Sequence, residues 1–356
     1  MKKITYLLIS LIALVALSIA VLQFHLYVSS HQYQPPHIKV DAWSAVIMDA
    51  ETGRILYEKN PDVKLPPAST TKVMTAIIAL ERLPFGADVI PSKKAVYVEP
   101  TVAGLKEGVT YKLEDLLKAI LIKSANDAAV VIAERVAGSE KEFAVMMNDK
   151  AAQIGMENTY FASASGLPSG KKDTQYTTAR DLAKMMRYAM RHKEILEYMS
   201  QKEASFSGSD GANIYLKSHN KALSLFEDAP WGKTGYTKQA SRTFVGVDPS
   251  SKPTIVFSLL KSEDLWGDVM KLKREGLLAW EKSRRSWRGD LRDSFLSLFG
   301  WIKGDKGAKN GSIQGMYSTS ISTAPAEAPK KAVTQKKHKR HKKKRAKKPV
   351  AAAKKK

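Results

Sequence analysis

The sequence predicts an α+β fold, in which an antiparallel sheet assembled from distant segments is flanked by helices. Three observations predict it. Strand-like segments stand at both ends of a block over residues 40–282, helical segments fill its middle, and no internal repeat divides it. The 356 residues are 44% hydrophobic, enough for a stable core and too apolar for wholesale disorder. The chain contains no cysteine, which excludes disulfides, thiolate catalysis, cysteine-ligated zinc and iron–sulfur clusters.

The first element, Ala42–Asn60, reads as a hairpin: Val46, Ile47 and Met48 lead to Asp49-Ala50-Glu51-Thr52-Gly53, and Ile55, Leu56 and Tyr57 return. From Lys72 the apolar stretch Val73–Glu81 has helical character. Tyr111–Ile122 predicts a second helix and Ala128–Val136 a third, ended by Gly138. Thr178–Met190 places Leu182, Met185, Met186 and Ala189 at helical spacing. Thr243–Val247 and Thr254–Leu260 read as strands, and Leu265–Trp280 as a closing helix carrying Val269, Leu272 and Leu277.

The ends differ from this block. Lys2 and Lys3 precede an uncharged stretch, Ile4–Val28, long enough to cross a hydrocarbon layer of ~30 Å at a rise of ~1.5 Å per residue. Residues 1–28 are therefore read as a membrane anchor with a cytoplasmic N-terminus, which exports the remainder of the chain. A cleaved signal is the alternative. Ser18-Ile19-Ala20 fits a small-x-small site, but Val21, Leu22 and Phe24 carry the apolar run past it. Residues 29–39, with Gln34-Pro35-Pro36, form a linker.

Residues 283–303 place Leu291, Phe295, Leu298 and Ile302 on one helical face, either an interfacial membrane helix or one packed on the domain. Residues 304–329 read as a flexible linker. The formal charge is +23, yet residues 330–356 hold 15 Lys and Arg with no acid, leaving only +8 for the rest. A run such as Lys336–Lys348 repels itself and is expected to be disordered. It has no aromatic side chain for base stacking, and export removes it from nucleic acid. Anionic envelope polymers or lipid headgroups are the expected partners, with a merely solubilising tail as the alternative.

Three short motifs carry chemistry: Ser69-Thr70-Thr71-Lys72, Ser124-Ala125-Asn126 and Lys233-Thr234-Gly235. Ser-x-x-Lys also occurs at Ser169, Ser218 and Ser258, so context must separate them. Only Ser69 follows a proline loop, Leu65-Pro66-Pro67-Ala68, and opens an apolar helix. Ser69 and Lys72 then lie one turn apart on one face. A serine hydroxyl needs a base, and lysine serves only when neutral, which takes burial or a second cation such as Lys233. The helix start offers free N–H groups to a developing oxyanion. Ser124 and Asn126 sit at a junction between helices, where they present side chains to a cleft or simply cap a helix. Lys233–Thr237 reads as an edge strand along which a substrate could pair, or as a turn after Pro230.

These motifs, in this order, resemble those of the serine D-Ala-D-Ala carboxypeptidases, the low-molecular-mass penicillin-binding proteins. The similarity covers roughly residues 40–282. It includes the blocks Ala45–Gly53, Leu65–Lys72, Ser124–Ala128, Ser165–Pro168, Tyr176–Leu182 and Lys233–Thr237. Ala125 stands where many members have glycine, and Ser218-His219-Asn220 replaces a more usual Asn-Thr-Asn run.

The resemblance implies a β-lactamase/transpeptidase-like fold with a helical cluster beside the sheet. It implies Ser69 as nucleophile, Lys72 as its base and Ser124 as proton relay to the leaving amine. Asn126 would bind the substrate amide, and Lys233, Thr234 and Thr237 its terminal carboxylate. Gly235 would admit the substrate backbone, and the N–H groups of Ser69 and Tyr236 would form the oxyanion hole. The implied reaction removes the terminal D-alanine of peptidoglycan stem peptides outside the cytoplasmic membrane. No cofactor or metal is implied, and β-lactams are implied as inhibitors.

The alternatives are a D,D-endopeptidase with the same machinery, a β-lactamase and a non-catalytic envelope binder. The β-lactamase is disfavoured because Glu157-Asn158-Thr159-Tyr160-Phe161 lacks the expected Glu-x-x-Leu-Asn pattern. The histidines form no ligand cluster with nearby acids, which disfavours a metal hydrolase. Only about 75 residues lie beyond the closing helix, so the β-rich second domain of many family members is expected to be absent.

Overall fold

β1 (Ser44–Asp49) lies second from one edge of a five-stranded sheet whose order is β2-β1-β9-β8-β7, every pair antiparallel. The other strands of that sheet are β2 (Ile55–Lys59), β7 (Trp231–Thr237), β8 (Ser241–Asp248) and β9 (Ile255–Ser262). The computed structural model describes residues 38–168 and 175–281 except Ala279, together with residues 6, 10–11, 14–15 and 17–23.

β1 reads as a continuous apolar run because both sheet faces are covered. Val46 and Met48 enter the helical core, while Ala45 and Ile47 enter a second core beneath Ile38, Val40, Leu265, Val269 and Leu272. Successive strand side chains point to opposite faces, so one strand serves two cores.

The inner face packs against helices. α1 (Lys72–Arg82) succeeds a 3₁₀ turn, Ala68–Thr71; α2 (Leu113–Lys118) runs on into π-helical Ala119–Lys123; α3 spans Asn126–Ala137 and α4 Glu140–Gln153. α5 (Ala179–Ala189) is capped by the Thr178 hydroxyl, which accepts from Asp181 N–H at 3.1 Å, and α6 spans Lys193–Ser200. A seventh helix, α7, covers 265–278 on the outer face.

The structure departs from the sequence reading at three places. The helix expected from Tyr111 begins at Leu113, because Tyr111–Lys112 (β4) pairs with Asp88–Val89 (β3). There the buried Tyr111 ring meets Phe206 edge-on at 6.0 Å. Tertiary burial overrides helical propensity at this point. α4 is absent from the sequence reading, since its buried stripe is thin: Phe143, Ala144, Met147 and Ala151. Its signal is a cap, the Ser139 hydroxyl accepting from Glu142 N–H. α6 and the hairpin of β5 (Glu203–Ser207) and β6 (Asn213–Lys217) are likewise additions of the structure.

The expected anchor at 1–28 and linker at 29–39 lie largely outside the described residues, and the segments 283–303, 304–329 and 330–356 wholly so. Among the described residues no helix is long and apolar enough to cross a membrane.

Candidate active site

Ser69 stands in the 3₁₀ turn where Pro66-Pro67 ends the extended chain. The turn is fastened from both sides. Pro67 O accepts from Thr70 Oγ1 at 2.8 Å and from Thr243 Oγ1 of β8 at 3.1 Å. Two glycines allow the approach of neighbouring segments. A Cβ on Gly235 would lie 2.8 Å from Ser69 N and 2.4 Å from Thr243 Oγ1, so β7 can pass beside the nucleophile only without a side chain there. A Cβ on Gly166 would lie 1.9 Å from Ala68 O, and its φ of +85° suits glycine besides.

Lys72, the first residue of α1, is 0% exposed. Its Nζ lies 3.0 Å from Ser69 Oγ, 2.7 Å from Asn126 Oδ1 and 2.6 Å from Ser165 O. Burial, then the field of Lys233, holds its pKa well below the ordinary lysine value against the opposing pull of Asp127 and Glu140. Burying one ammonium costs several kcal/mol without an ion partner, and none of the three contacting atoms is a carboxylate. Both effects favour the neutral amine, whose Nζ is within hydrogen-bond distance of Asn126 Oδ1, Ser165 O and the Ser69 hydroxyl.

Ser124 closes the π-helical turn with φ 64° and ψ 32°, a left-handed conformation that aims the following residue into α3. Its Oγ accepts from Lys233 Nζ at 2.8 Å. Lys233 is 1% exposed, and burial lowers its pKa to about 7. Asn126 is held by Nδ2 donating to Glu99 O at 2.8 Å, which leaves a second amide hydrogen for another acceptor. Asp127 accepts from the N–H groups of Ala103, Gly104 and Leu105, fixing the loop that forms one wall.

Ser69, Ser124, Asn126, Thr234, Gly235 and Tyr236 line one cleft of about 520 Å³, with Lys72 and Lys233 buried behind its floor. Of the residues singled out from the sequence, Thr237 is not brought to it. Its hydroxyl accepts from Ala240 N–H in the β7–β8 turn. Arg242, opposite Tyr236 in the β7–β8 register, lines the cleft instead.

His219 and Lys221 line it too; His219 is exposed at the cleft rim, where partial desolvation and the nearby lysines lower its imidazole pKa to about 4. The sequence reading also missed Glu140. Its Oε1 accepts from Ala164 N–H at 3.0 Å and so anchors the segment whose Ser165 carbonyl receives Lys72. His219 lies in the run noted as departing from the family and Lys221 directly follows it, whereas no local pattern marks Arg242 or Glu140. Among the described residues no group of three His, Asp or Glu could hold a metal.

A buried lysine behind a serine, beside a second serine–lysine pair at the edge of a five-stranded antiparallel sheet, defines the penicillin-binding protein and DD-peptidase architecture. A D-alanyl-D-alanine carboxypeptidase structure from Mycobacterium tuberculosis superposes with TM-score 0.65 at 27% identity, over 68% of this chain and 94% of that one. A penicillin-binding protein of Listeria monocytogenes, solved in its ampicillin-bound form, gives 0.58 at 30% identity over 68% and 99%.

The chain belongs to the D-alanyl-D-alanine carboxypeptidase family, peptidase S11, whose profile matches residues 29–258. It is 33% identical over 205 residues to the carboxypeptidase DacF of Bacillus subtilis, covering 56% of this chain and 52% of that protein. It is 28% identical over 244 residues to a D-alanyl-D-alanine endopeptidase of Pseudomonas aeruginosa, covering 65% and 76%. The chain thus spans about half the length of the Bacillus relative.

Proposed function

We propose that this protein is a serine D-Ala-D-Ala carboxypeptidase acting on peptidoglycan stem peptides. The observation that carries the reading is the fully buried Lys72 amine 3.0 Å from Ser69 Oγ. Ser69 Oγ attacks the carbonyl carbon of the penultimate D-alanine while its proton passes to Lys72 Nζ. The oxyanion forms between backbone N–H groups of Ser69 and Tyr236, where β7 runs beside the serine turn. Ser124 gives its proton to the leaving amine as the C–N bond breaks, and the lysine pair restores it. Water then hydrolyses the ester on Ser69.

Lys233, Thr234 and Arg242 present positive charge and a hydroxyl to the terminal carboxylate, with Thr237 supporting the strand end. Asn126 positions Lys72 and offers its second amide hydrogen to the substrate. β-Lactams, which mimic the terminal dipeptide, would acylate Ser69. The reaction takes place outside the cytoplasmic membrane in this reading, with residues 1–28 as tether and the basic tail on anionic envelope polymers or lipids.

The deciding experiment measures D-alanine release from a pentapeptide ending in D-Ala-D-Ala, alongside labelling by a fluorescent penicillin. Both should vanish in Ser69→Ala; persistent labelling would remove Ser69 from the mechanism. The Pseudomonas relative supports endopeptidase cleavage as a second reading. Crosslinked muropeptides separate the two, since a carboxypeptidase leaves the crosslink intact.

A further inference from the structure

A second concave surface lies far from this chemistry. It is larger than the active cleft, about 750 Å³, and sits between α5, the end of α4 and the β1–β2 turn. β2 is the sheet edge opposite β7, four strand spacings away, or roughly 19 Å. Arg180, Lys184 and Arg187 on α5, and Arg191 just beyond it, line this groove at spacings of four, three and four residues, and no lining residue is acidic. Like charges at such spacing repel on a helix, so the stripe carries an electrostatic cost that the catalytic mechanism does not explain.

The partners of these cations are uneven. Arg180 is satisfied by Asp62 and Glu58, and Lys184 by the Gly155 carbonyl and by Asp181 at 3.6 Å. Arg187 donates only to backbone oxygens, Nε to Ala50 O and Nη2 to Glu51 O, each at 2.8 Å. The Arg191 guanidinium lies 4.7 Å from the Tyr188 ring centroid. Among the described residues neither Arg187 nor Arg191 has a carboxylate within ion-pair distance.

Arg187 is nevertheless fixed in place. Gly53 has no side chain, so the guanidinium lies against the turn, where a Cβ would come within 3.1 Å of Nη1. Three of its five N–H donors remain unspent. A held guanidinium fork with a second guanidinium lining the same groove suits an oxyanion bearing more than one negative oxygen.

We propose that this groove is a second binding site, for a phosphate group carried by a larger molecule. Its volume lies within the range for small-molecule sites and exceeds the needs of a bare ion. A glycan phosphate and a phospholipid headgroup share this chemistry. Arg187 and Arg191 hold the phosphate, and Tyr188 and the turn supply the wall for the body attached to it.

The test uses the full chain, because the basic tail is then common to every sample and cancels in differences. The thermal midpoint is measured with inorganic phosphate and, at equal ionic strength, with chloride. Phosphate should raise the wild-type midpoint above its chloride value. Arg191→Gln should weaken the apparent phosphate affinity roughly three- to fivefold, the size of one exposed charge pair. The double variant with Arg187→Gln should abolish the response. Arg187→Gln alone could loosen the β1–β2 turn, so Arg191→Gln, which touches only a ring, decides.

Identical midpoints in phosphate and chloride, or an Arg191→Gln variant that responds like wild type, would overturn the proposal. The source is then read with glycerol phosphate and with phosphatidylglycerol vesicles. A wild-type advantage over Arg191→Gln confined to vesicles assigns a lipid, and one seen with glycerol phosphate assigns a soluble or polymer-borne group. Penicillin labelling should be equal in all variants, which separates this site from the catalytic reading.

Discussion

Lys233 Nζ donates to Ser124 Oγ across 2.8 Å, joining residues 109 positions apart where the buried lysine meets the wall of the cleft. Each half needs the other. Ser124 sits in a left-handed backbone conformation at the end of the π-turn, and Lys233 reaches it from the edge strand β7. A lysine whose pKa falls to about 7 there can carry charge for a carboxylate and still exchange a proton near neutrality.

The pH profile should report this lysine. Burial lowers the Lys233 pKa, so its positive charge is present below about 7 and lost as pH rises through it. kcat/KM for a carboxylate-ended peptide should therefore fall on the alkaline side near 7. Bound carboxylate favours the cation, so the corresponding limb in kcat should lie higher. Coincident limbs in the two profiles would contradict the assignment.

Lys72→Met tests the base. Acylation by penicillin should slow by roughly 10²-fold or more, the range for a positioned general base. Removing the amine relieves its desolvation but leaves Asn126 Oδ1 and Ser165 O without a donor, so a destabilisation of about 1–3 kcal/mol is expected. Stopped-flow acylation and thermal melting measure the two. A large loss of stability would mean that the amine holds the fold rather than the chemistry.

Gly235→Ala should disable the site by crowding. Its Cβ would meet Ser69 N at 2.8 Å and Thr243 Oγ1 at 2.4 Å, backbone and buried side chain that cannot easily retreat. We expect a destabilisation of about 1–3 kcal/mol in urea unfolding and loss of penicillin labelling. Unchanged labelling would show that β7 does not set the position of Ser69.

Glu140 acts through the segment it anchors. Glu140→Gln keeps an oxygen to accept from Ala164 N–H and should retain acylation. Glu140→Ala leaves that N–H unpartnered, shifts the Ser165 carbonyl away from Lys72 and should slow acylation about tenfold, with KM less affected. Equal rates in the two variants would rule out positioning through this hydrogen bond.

His219 should make stability depend on acidity. Partial desolvation of this exposed side chain and the surrounding lysines lower its pKa from 6.5 to about 4, so the unfolded chain binds its proton first as pH falls. The contribution is whole above about 6.5 and is lost as pH drops toward 4. Urea midpoints across that interval should fall in wild type and flatten in His219→Gln.

Ser69 and Lys72 were legible because their relation is local: prolines stop the chain, a helix starts, and three positions bring two side chains together. The same holds for the helix read over Thr178–Met190 and for the strands of the final hairpin. Motif identity also singled out Ser124, Asn126, Lys233, Thr234, Gly235 and Tyr236. Nothing local marked Arg242, which enters by hairpin register, or Glu140, which acts through a backbone amide. Ser165 stood in a recognised block, but its contribution is a carbonyl oxygen, which every residue has and no sequence pattern distinguishes.

The amino-acid order by itself determined the α+β layout, the exclusion of thiol chemistry and the juxtaposition of Ser69 and Lys72, because helix periodicity, composition and three-residue spacing act within one turn of chain. Only tertiary structure decided that Lys72 is sealed from solvent, that the Thr237 hydroxyl accepts a turn amide, and that four cations share a groove. Burial and electrostatic fields sum over everything nearby in space, and most of what is near these groups is distant along the chain.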